Sequence, residues 1–205
     1  MTHLGSRPGT VRTAEILRET GETRIRLRLD LDGSGAAQVA TGIGFLDHML
    51  TALARHALFD LDVEASGDLH VDFHHTTEDV GIVLGGVLAR ALGDKRGVRR
   101  YGFAAVPMDE ALVEATADLS GRPFLAWGAE FGRDKVGEMD TELFEEFFRA
   151  LAMNGLLTLH VRQLAGRNAH HVAEACFKAV ARALREACEP DPRAASAIPS
   201  TKGSL

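Results

Sequence analysis

The chain has 205 residues, of which 45% are hydrophobic and 25% charged, values of an ordinary globular protein that can bury a substantial core. A formal net charge of −6 disfavours proteins that bind the phosphate backbone of nucleic acids, which show a basic face. No apolar run approaches a membrane span and residues 1–12 lack the apolar stretch of a secretory signal, so we expect a cytoplasmic protein with no membrane or nucleic-acid partner.

Each half of the chain is predicted to run strand, turn, strand, helix, strand or hairpin, helix. In the first half, residues 22–32 alternate apolar and polar side chains before Gly33, which predicts the first strand and its turn. Residues 44–55 have helical apolar spacing, and apolar residues at Leu58, Leu61 and Val63 predict the strand that follows this helix. A long helix is then predicted over residues 74–92.

The second half repeats these elements at nearly constant offsets. Residues 110–120 repeat the first strand 88 positions later, and residues 143–152 repeat the first helix at an offset of 98. Leu156, Leu159 and Val161 repeat the strand after the first helix, residues 170–187 repeat the long helix, and Trp127 with its neighbours Ala126 and Gly128 is assigned to a strand. The duplication predicts two pseudo-symmetric halves of one compact unit, residues 1–97 and 98–205, with sheets packed against helices in an α+β fold.

Each long helix opens with the motif H-H-x-x-E, at residues 74–78 and again at residues 170–174. Imidazole and carboxylate without thiolate suit a borderline or hard divalent metal. The side chains of neighbouring histidines point in different directions on a helix and are poorly placed to bind one ion together. Two motifs that face each other could instead share two ions. The alternative is a pair of helix N-termini with exposed polar residues, where the macrodipole favours Glu.

The duplication extends the ligand set to the preceding helices. His48 lies 26 residues before His74, and its counterpart at an offset of 98 is Glu146, whose alternative role is a solvated acidic face beside Glu145. The predicted metal ligands are His48, His74, His75, Glu78, Glu146, His170, His171 and Glu174. Pseudo-symmetry suggests a partition between two ions, with His48, His75, Glu78 and His170 in one set and Glu146, His171, Glu174 and His74 in the other.

These motifs, together with GIGFLDHML (42–50), DFHHTTEDVGIVLG (72–85), DLSGRP (118–123) and IPSTKGSL (198–205), make the chain resemble the imidazoleglycerol-phosphate dehydratase family from about residue 12 to the end. The resemblance implies a tandem repeat of ribosomal-S5-domain-2-like units, two Mn²⁺ ions in each active site, and a homo-oligomeric shell of 24 subunits with active sites between subunits. Many members carry His where this chain has Glu146.

The reaction implied by this resemblance belongs to histidine biosynthesis. It dehydrates a small phosphorylated imidazole, D-erythro-imidazole glycerol phosphate, to imidazole acetol phosphate through an imidazolate intermediate. The resemblance assigns acid–base catalysis to Glu22 and Glu174. Asp109 lies beside the repeat counterpart of Glu22 and is a weaker candidate to support the site. The resemblance assigns contacts with the substrate and its phosphate to His56, Arg100, Arg122, Lys178, Ser200 and Lys202.

Several of these residues have simpler alternative roles. Glu22 could be an exposed carboxylate at a strand end, Lys178 could form an i,i+4 ion pair with Glu174, and the tail after residue 198 could be a frayed terminus. Two other functions also compete. Paired metal ions serve phosphoester hydrolases as well, and S5-like units occur in RNA-binding modules, which the acidic net charge disfavours.

Overall fold

Two four-stranded sheets and four long helices make up the protein, seen in a computed structural model that describes residues 12–194 and 197–205. The first half contains, in chain order, β1 (Thr13–Glu19), β2 (Thr23–Asp30), β3 (Ala37–Ala40), α1 (Gly44–Ala57), β4 (Asp60–Gly67) and α2 (His74–Leu92). The second half contains β5 (Tyr101–Met108), β6 (Ala111–Asp118), β7 (Phe124–Gly128), β8 (Lys135–Val136), β9 (Met139–Asp140), α3 (Glu142–Asn154), β10 (Thr158–Ala165) and α4 (Ala169–Cys188).

The two sheets have the same topology, which confirms the internal duplication. The first has the strand order β1-β2-β4-β3 and the second has the order β5-β6-β10-β7. In each sheet the edge strand β3 or β7 pairs in parallel, and the remaining pairs are antiparallel. The predicted α+β class with duplicated sheet–helix units is therefore correct.

Alternating burial fixes the inner face of each sheet. In β2, Ile25, Leu27 and Leu29 are buried, while the arginines between them lie on the outer face. Successive strand residues point to opposite faces, so this alternation covers one face with helices and leaves the other to solvent. The inner residues of β6 are smaller, mostly alanines, and α4 packs directly against this strand.

Each helix of one half packs against a helix of the other half. Helices α1 and α2 contact the first sheet, α3 and α4 contact the second, and the contacts between halves join α1 with α4 and α2 with α3. A Cβ atom at Gly85 in α2 would lie 2.6 Å from the carbonyl oxygen of Leu151 in α3, so only glycine permits this close approach. Residues of both halves therefore share one hydrophobic core.

The long helices agree with the sequence prediction, but the connections do not. Helix α2 has the predicted limits and the other helices end within two residues of theirs. The prediction of Leu58 and Leu156 as strand residues is wrong, because both adopt left-handed backbone conformations, with φ of 57° and 51°. Leu58 directly follows α1, and Leu156 follows α3 after Gly155. Strands β3 and β7 occupy the predicted strand position between the turn and the first helix of each half, whereas strands β1 and β5 and the hairpin β8–β9 were not predicted.

Within the described residues, no helix is long and apolar enough to cross a membrane. The division of the chain at residue 97 stays a prediction.

Candidate metal and substrate site

Each H-H-x-x-E motif lies at the start of a helix, where a side chain two residues before its first histidine accepts a backbone N–H of the first turn. The carboxylate of Asp72 accepts the backbone N–H of His74 at 2.7 Å, and the side-chain oxygen of Asn168 accepts that of His170 at 3.0 Å. Side-chain acceptors satisfy the free N–H groups of a first turn. The capped turns place both histidine pairs at the exposed start of α2 and α4.

His48, His170 and Glu174 form the one group of three or more His, Cys, Asp or Glu residues in the described ranges whose ligand atoms all lie within 4.8 Å of one another. Oε2 of Glu174 lies 3.3 Å from Nε2 of His48 and 3.2 Å from Nε2 of His170. The contact between α1 and α4 brings the three side chains together although they belong to different halves. We call this group the α1–α4 cluster.

Glu174 is the buried member of the α1–α4 cluster, with a side chain that is 10% exposed. Burial alone would raise the pKa of its carboxyl group, but the ion pair with Lys178, at 2.6 Å from Oε1, and the hydrogen bond with His48 outweigh burial and lower the pKa. The carboxylate is therefore charged near neutral pH. The predicted i,i+4 pair with Lys178 is present, so Lys178 touches the proposed ligand Glu174.

The equivalent residues of the other helix pair are His74 and Glu78 on α2 and Glu146 on α3. They do not form a group as tight as the α1–α4 cluster, and Oε2 of Glu146 lies 3.8 Å from Nε of Arg149. The predicted partition placed Glu174 with Glu146. The structure instead groups Glu174 with His48 and His170, because α1 packs on α4 while α3 packs on α2.

The second histidine of each motif has a carboxylate partner of its own. The rings of His74 and His75 are inclined by 84°, and those of His170 and His171 by 87°, as expected for neighbours on a helix. Nδ1 of His75 lies 2.9 Å from Asp68, and Nδ1 of His171 lies 2.7 Å from Glu110.

These carboxylates change the acid–base properties of the two histidines. Hydrogen bonding to Asp68 raises the pKa of His75, and hydrogen bonding to Glu110 raises the pKa of His171. The same bond to His171, together with backbone N–H groups of Asn168 and Arg167, lowers the pKa of Glu110 to about 2. Glu110 and Asp68 were missed by sequence reasoning, although the repeat that aligns Glu110 with Glu22 is a signal that could have singled out Glu110.

Glu22 lies in the turn between β1 and β2, not on a strand. Its backbone N–H donates to Oγ1 of Thr20 at 3.2 Å, and its carboxylate lies 3.8 Å from Nδ1 of His75 with more than half of its side chain exposed. Asp109 occupies the corresponding turn of the second half, where its carboxylate lies 3.8 Å from Nε2 of His171. Both candidates therefore lie beside a histidine of the motifs.

Four of the predicted substrate contacts meet in one open cleft of about 730 Å³. These residues are Arg100, Arg122, Ser200 and Lys202. Some of the donors of Arg100 are already engaged. Its Nε donates to Asp118 at 2.7 Å, and its Nη1 donates to the carbonyl oxygen of Pro199 at 2.7 Å, which links the tail to the start of β5. The hydrogen bond to Pro199 thus links the start of the tail to Arg100 in the basic cleft.

His56 and Lys178 are absent from the residues that line this cleft. His56 lies in the last turn of α1, where burial and the positive charges of Lys178 and Arg182 lower its pKa. A neutral imidazole there can donate or accept a hydrogen bond at neutral pH. The structure therefore places the predicted substrate contacts in two groups, one in the basic cleft and one beside the α1–α4 cluster.

Comparison with known proteins gives a consistent result. Residues 41–184 match the family model described as "Imidazoleglycerol-phosphate dehydratase". The chain is 71% identical to an imidazoleglycerol-phosphate dehydratase of Gluconacetobacter diazotrophicus over 96% of this chain and 99% of the relative, and 69% identical to that of Granulibacter bethesdensis over 95% and 99%.

Solved structures agree with the curated relatives. The imidazoleglycerol-phosphate dehydratase of Staphylococcus aureus superposes with a TM-score of 0.80 at 41% identity, covering 87% of this chain and 99% of the other. That of Pyrococcus furiosus gives a TM-score of 0.80 at 36% identity, covering 93% and 100%. The chain therefore belongs to the imidazoleglycerol-phosphate dehydratase family and is a lyase of histidine biosynthesis.

Proposed function

We propose that the enzyme dehydrates D-erythro-imidazole glycerol phosphate to imidazole acetol phosphate with two Mn²⁺ ions in each active site. The observation that carries this proposal is the α1–α4 cluster, in which two imidazole nitrogens and a buried carboxylate oxygen converge within 4.8 Å. Such donors suit a borderline or hard divalent ion. Bound Mn²⁺ would supply Lewis acidity that lowers the pKa of the substrate ring and makes its imidazolate intermediate accessible.

The proposed ligand sets follow the two helix pairs, α1 with α4 and α2 with α3. His48, His170 and Glu174 would hold one ion, and their pseudo-symmetric equivalents Glu146, His74 and Glu78 would contribute to the other. His75 and His171 complete the eight proposed ligands. Because these two histidines lie outside the α1–α4 cluster, we propose that they serve active sites completed by a neighbouring subunit.

The reaction requires removal of a proton and a hydroxyl group from neighbouring carbons. Glu22 accepts the carbon-bound proton, because its carboxylate is exposed and lies next to the proposed ligand His75. The departing hydroxyl group takes up a proton and leaves as water, and the enol that remains converts to the ketone of the product. Glu174 is proposed as a ligand first and a proton carrier second, since Lys178 already pairs with its Oε1.

The substrate phosphate binds in the basic cleft. Arg100, Arg122 and Lys202 offer positive charge, and Ser200 offers a hydroxyl group. Charge-assisted hydrogen bonds to phosphate oxygens are stronger than neutral ones, and they would hold the non-reacting end of the substrate. His56, near Lys178, is proposed as a further substrate contact.

We also propose a homo-oligomer of 24 subunits. Tyr101, Phe103 and Phe124 each expose more than half of their surface on the second sheet, and large exposed apolar side chains of this kind suit subunit contacts. Sedimentation with Mn²⁺ is expected to give a large particle, and sedimentation after chelation a smaller one, since metal bound between subunits adds to their association. One particle size under both conditions would contradict this assembly. The cytoplasmic location stays a prediction from the sequence.

The proposed activity is tested with metal-stripped protein, back-titrated with Mn²⁺ and supplied with imidazole glycerol phosphate. We expect two Mn²⁺ ions per chain by elemental analysis and formation of imidazole acetol phosphate. His48→Ala should lose the ion proposed for the α1–α4 cluster and also turnover, whereas His160→Ala, which removes an exposed histidine of β10, should retain full metal content and turnover. Release of free phosphate without the dehydrated product would instead favour a metal-dependent hydrolase.

A further inference from the structure

We infer that the glutamates at equivalent positions of the two repeats have taken different roles: Glu110 orients His171 for metal binding, whereas Glu22 is left free for proton transfer because Asp68 orients His75. Glu22 and Glu110 are equivalent because each precedes the central strand of its sheet, β2 or β6, at an offset of 88 residues. The inference deepens the proposed function and rests on it, since both histidines are proposed ligands.

Glu110 is fully committed to the start of α4. Its Oε2 lies 2.7 Å from Nδ1 of His171, while its Oε1 accepts the backbone N–H groups of Asn168 at 2.8 Å and Arg167 at 3.1 Å. Both carboxylate oxygens are therefore engaged by donors of one short segment. A side chain held in this way has a fixed position, which suits it to orient a neighbouring ring.

Glu22 shows no comparable commitment. Its carboxylate lies 3.8 Å from Nδ1 of His75, beyond hydrogen-bonding distance, and its side chain is 57% exposed. The nitrogen of His75 is bound instead by Asp68, at 2.9 Å, whose side chain is 19% exposed. In the first half, Asp68 thus makes the contact that Glu110 makes in the second half.

A glycine explains why the second half cannot use an aspartate in the same way. Strands β4 and β10 align at an offset of 98, so the residue after β4, Asp68, corresponds to Gly166 after β10. Gly166 has φ of 129°, and a Cβ atom there would lie 2.9 Å from Cβ of Ala111 and 2.9 Å from Cγ2 of Val172. The position has no room for a side chain, and the tight packing on Ala111 brings the adjacent Glu110 to His171.

The division of roles has a chemical consequence for each histidine. A carboxylate that accepts from Nδ1–H fixes the proton on that nitrogen and leaves the lone pair of Nε2 for a metal. Asp68 and Glu110 provide this for His75 and His171, the two proposed ligands outside the α1–α4 cluster. A carboxylate already used for orientation is a poor proton carrier, which leaves Glu22 rather than Glu110 for the transfer.

The test compares Mn²⁺ binding and turnover in three isosteric variants of the full chain: Glu110→Gln, Asp68→Asn and Glu22→Gln. The glutamate accepts hydrogen bonds from three donors with its two oxygens, whereas Gln at position 110 has only one acceptor oxygen. The variant must therefore lose the hydrogen bond with His171 or those with the backbone N–H groups. Mn²⁺ affinity is measured on chelator-stripped protein by competition with a fluorescent chelator, and the metal-free proteins are compared by thermal unfolding.

We expect Glu110→Gln and Asp68→Asn each to weaken Mn²⁺ binding about ten- to a hundredfold, the usual effect of losing a carboxylate behind a ligating histidine. Glu22→Gln should bind Mn²⁺ like the wild type and lose turnover. Wild-type affinity in Glu110→Gln, or equal weakening in Glu22→Gln, would overturn the inference. If Glu110→Gln does not fold, Asp68→Asn decides alone, since the hydrogen bond with His75 is the leading contact of that side chain. A wild-type protein that binds no stoichiometric Mn²⁺ would instead refute the proposed function.

Discussion

The carboxylate of Glu174 lies 3.3 Å from Nε2 of His48, although 126 residues separate them in the chain. The contact exists because α1 of the first half packs on α4 of the second. Duplication placed similar ligand side chains in both halves, and the packing of α1 on α4 brings together one helix from each half. A site assembled in this way depends on the packing of both halves, so the two repeats are expected to lose metal together when the core is disrupted.

The pseudo-symmetry makes a specific prediction for Glu146, the equivalent of His48. Glu146→Ala is expected to lower the bound Mn²⁺ from about two ions to about one per chain, because a ligand of the second ion is lost while the α1–α4 cluster is intact. Elemental analysis of the purified variant measures this. The matched control is Glu145→Ala, which removes the neighbouring carboxylate and its ion pair with Arg149. Full metal content in Glu146→Ala would remove this residue from the ligand set.

A buried ion pair joins the β1–β2 hairpin to α2. Nη1 of Arg18 lies 2.6 Å from Asp79, and the hydroxyl group of Thr23 donates to the same carboxylate oxygen. The second half has Ala175 in place of Asp79, so the pair is unique to the hairpin that carries Glu22. Asp79→Asn leaves the charge of Arg18 without its partner. We expect a loss of about 2–3 kcal/mol of unfolding free energy, below the roughly 3–5 kcal/mol of a fully buried pair because Arg18 is a third exposed.

Chemical denaturation in the presence of chelator measures this effect without a contribution from metal or assembly. The control is Glu19→Gln in the same hairpin, whose pair with Arg24 has both side chains more than half exposed. Exposed pairs contribute about 0–1 kcal/mol, so the control should stay close to the wild type. Equal destabilisation in both variants would mean that the pair with Asp79 contributes no more than a surface contact.

Stability should also depend on pH through Asp60. Its carboxylate accepts the backbone N–H groups of Ser34 at 2.7 Å and Ala36 at 2.9 Å, and these bonds, led by that of Ser34, lower its pKa. A carboxyl group with a lowered folded-state pKa contributes stability above its ordinary value of 3.8, and this contribution is lost as the pH falls through the folded-state pKa. Asp60→Asn should therefore cost about 1 kcal/mol at neutral pH.

The difference between Asp60→Asn and the wild type should shrink as the pH falls below 3.8, where the wild-type carboxyl group also becomes neutral. Unfolding free energies of metal-free protein at a series of pH values measure this. Asp62→Asn, on the same strand, is the control for a general change in charge. A difference that does not vary with pH would show that the bonds to Ser34 and Ala36 do not depend on ionisation.

Much of the fold was predictable because its long elements carry strong periodic patterns. The limits of α2 follow from an apolar helical pattern between Asp72 and Gly93, and the repeat offsets indicated two similar halves. The edge strands β1 and β5 were not predicted, because the adjacent Ile16 and Leu17 break the alternation of β1 and Pro107 argues against a strand in β5. Leu58 and Leu156 were taken for strand residues because hydrophobicity alone does not reveal a left-handed backbone, which in both halves follows the first helix.

The site was predictable in its residues but not in their grouping. The types and spacing of His48, His170 and Glu174 follow from the motifs, yet which helices meet depends on long-range packing that no local pattern encodes. The partition by pseudo-symmetry placed Glu174 in the set without His48, whereas the contact between α1 and α4 brings these two side chains together; the division of ligands between two ions stays a prediction. Glu110 escaped notice because its role arises from the close packing of Gly166 on Ala111.

The final prediction separates phosphate binding from proton transfer. Lys202 lies in the basic cleft with Arg100 and Arg122, which the residues of the α1–α4 cluster do not line, so it is expected to contact substrate and transition state equally. Removing such a contact raises KM with little change in kcat. Lys202→Ala should therefore raise KM about ten- to a hundredfold, the equivalent of roughly 1.5–3 kcal/mol for a charged hydrogen bond, with full Mn²⁺ content.

Glu22→Gln should give the opposite pattern, because an amide can occupy the same space but cannot accept the carbon-bound proton. We expect KM and Mn²⁺ content near those of the wild type and kcat lower by at least about a hundredfold, the lower end of the usual contribution of a general base. Lys135→Ala, which removes an exposed lysine paired with Asp140 in the β8–β9 hairpin, is the control for loss of surface charge. Steady-state kinetics at saturating Mn²⁺ distinguish the variants.

Two outcomes would contradict the proposed role of the tail. A fall in kcat for Lys202→Ala would mean that phosphate binding also positions the reacting carbons. Normal kinetics in a chain that ends at Ile198 would exclude the tail from substrate binding.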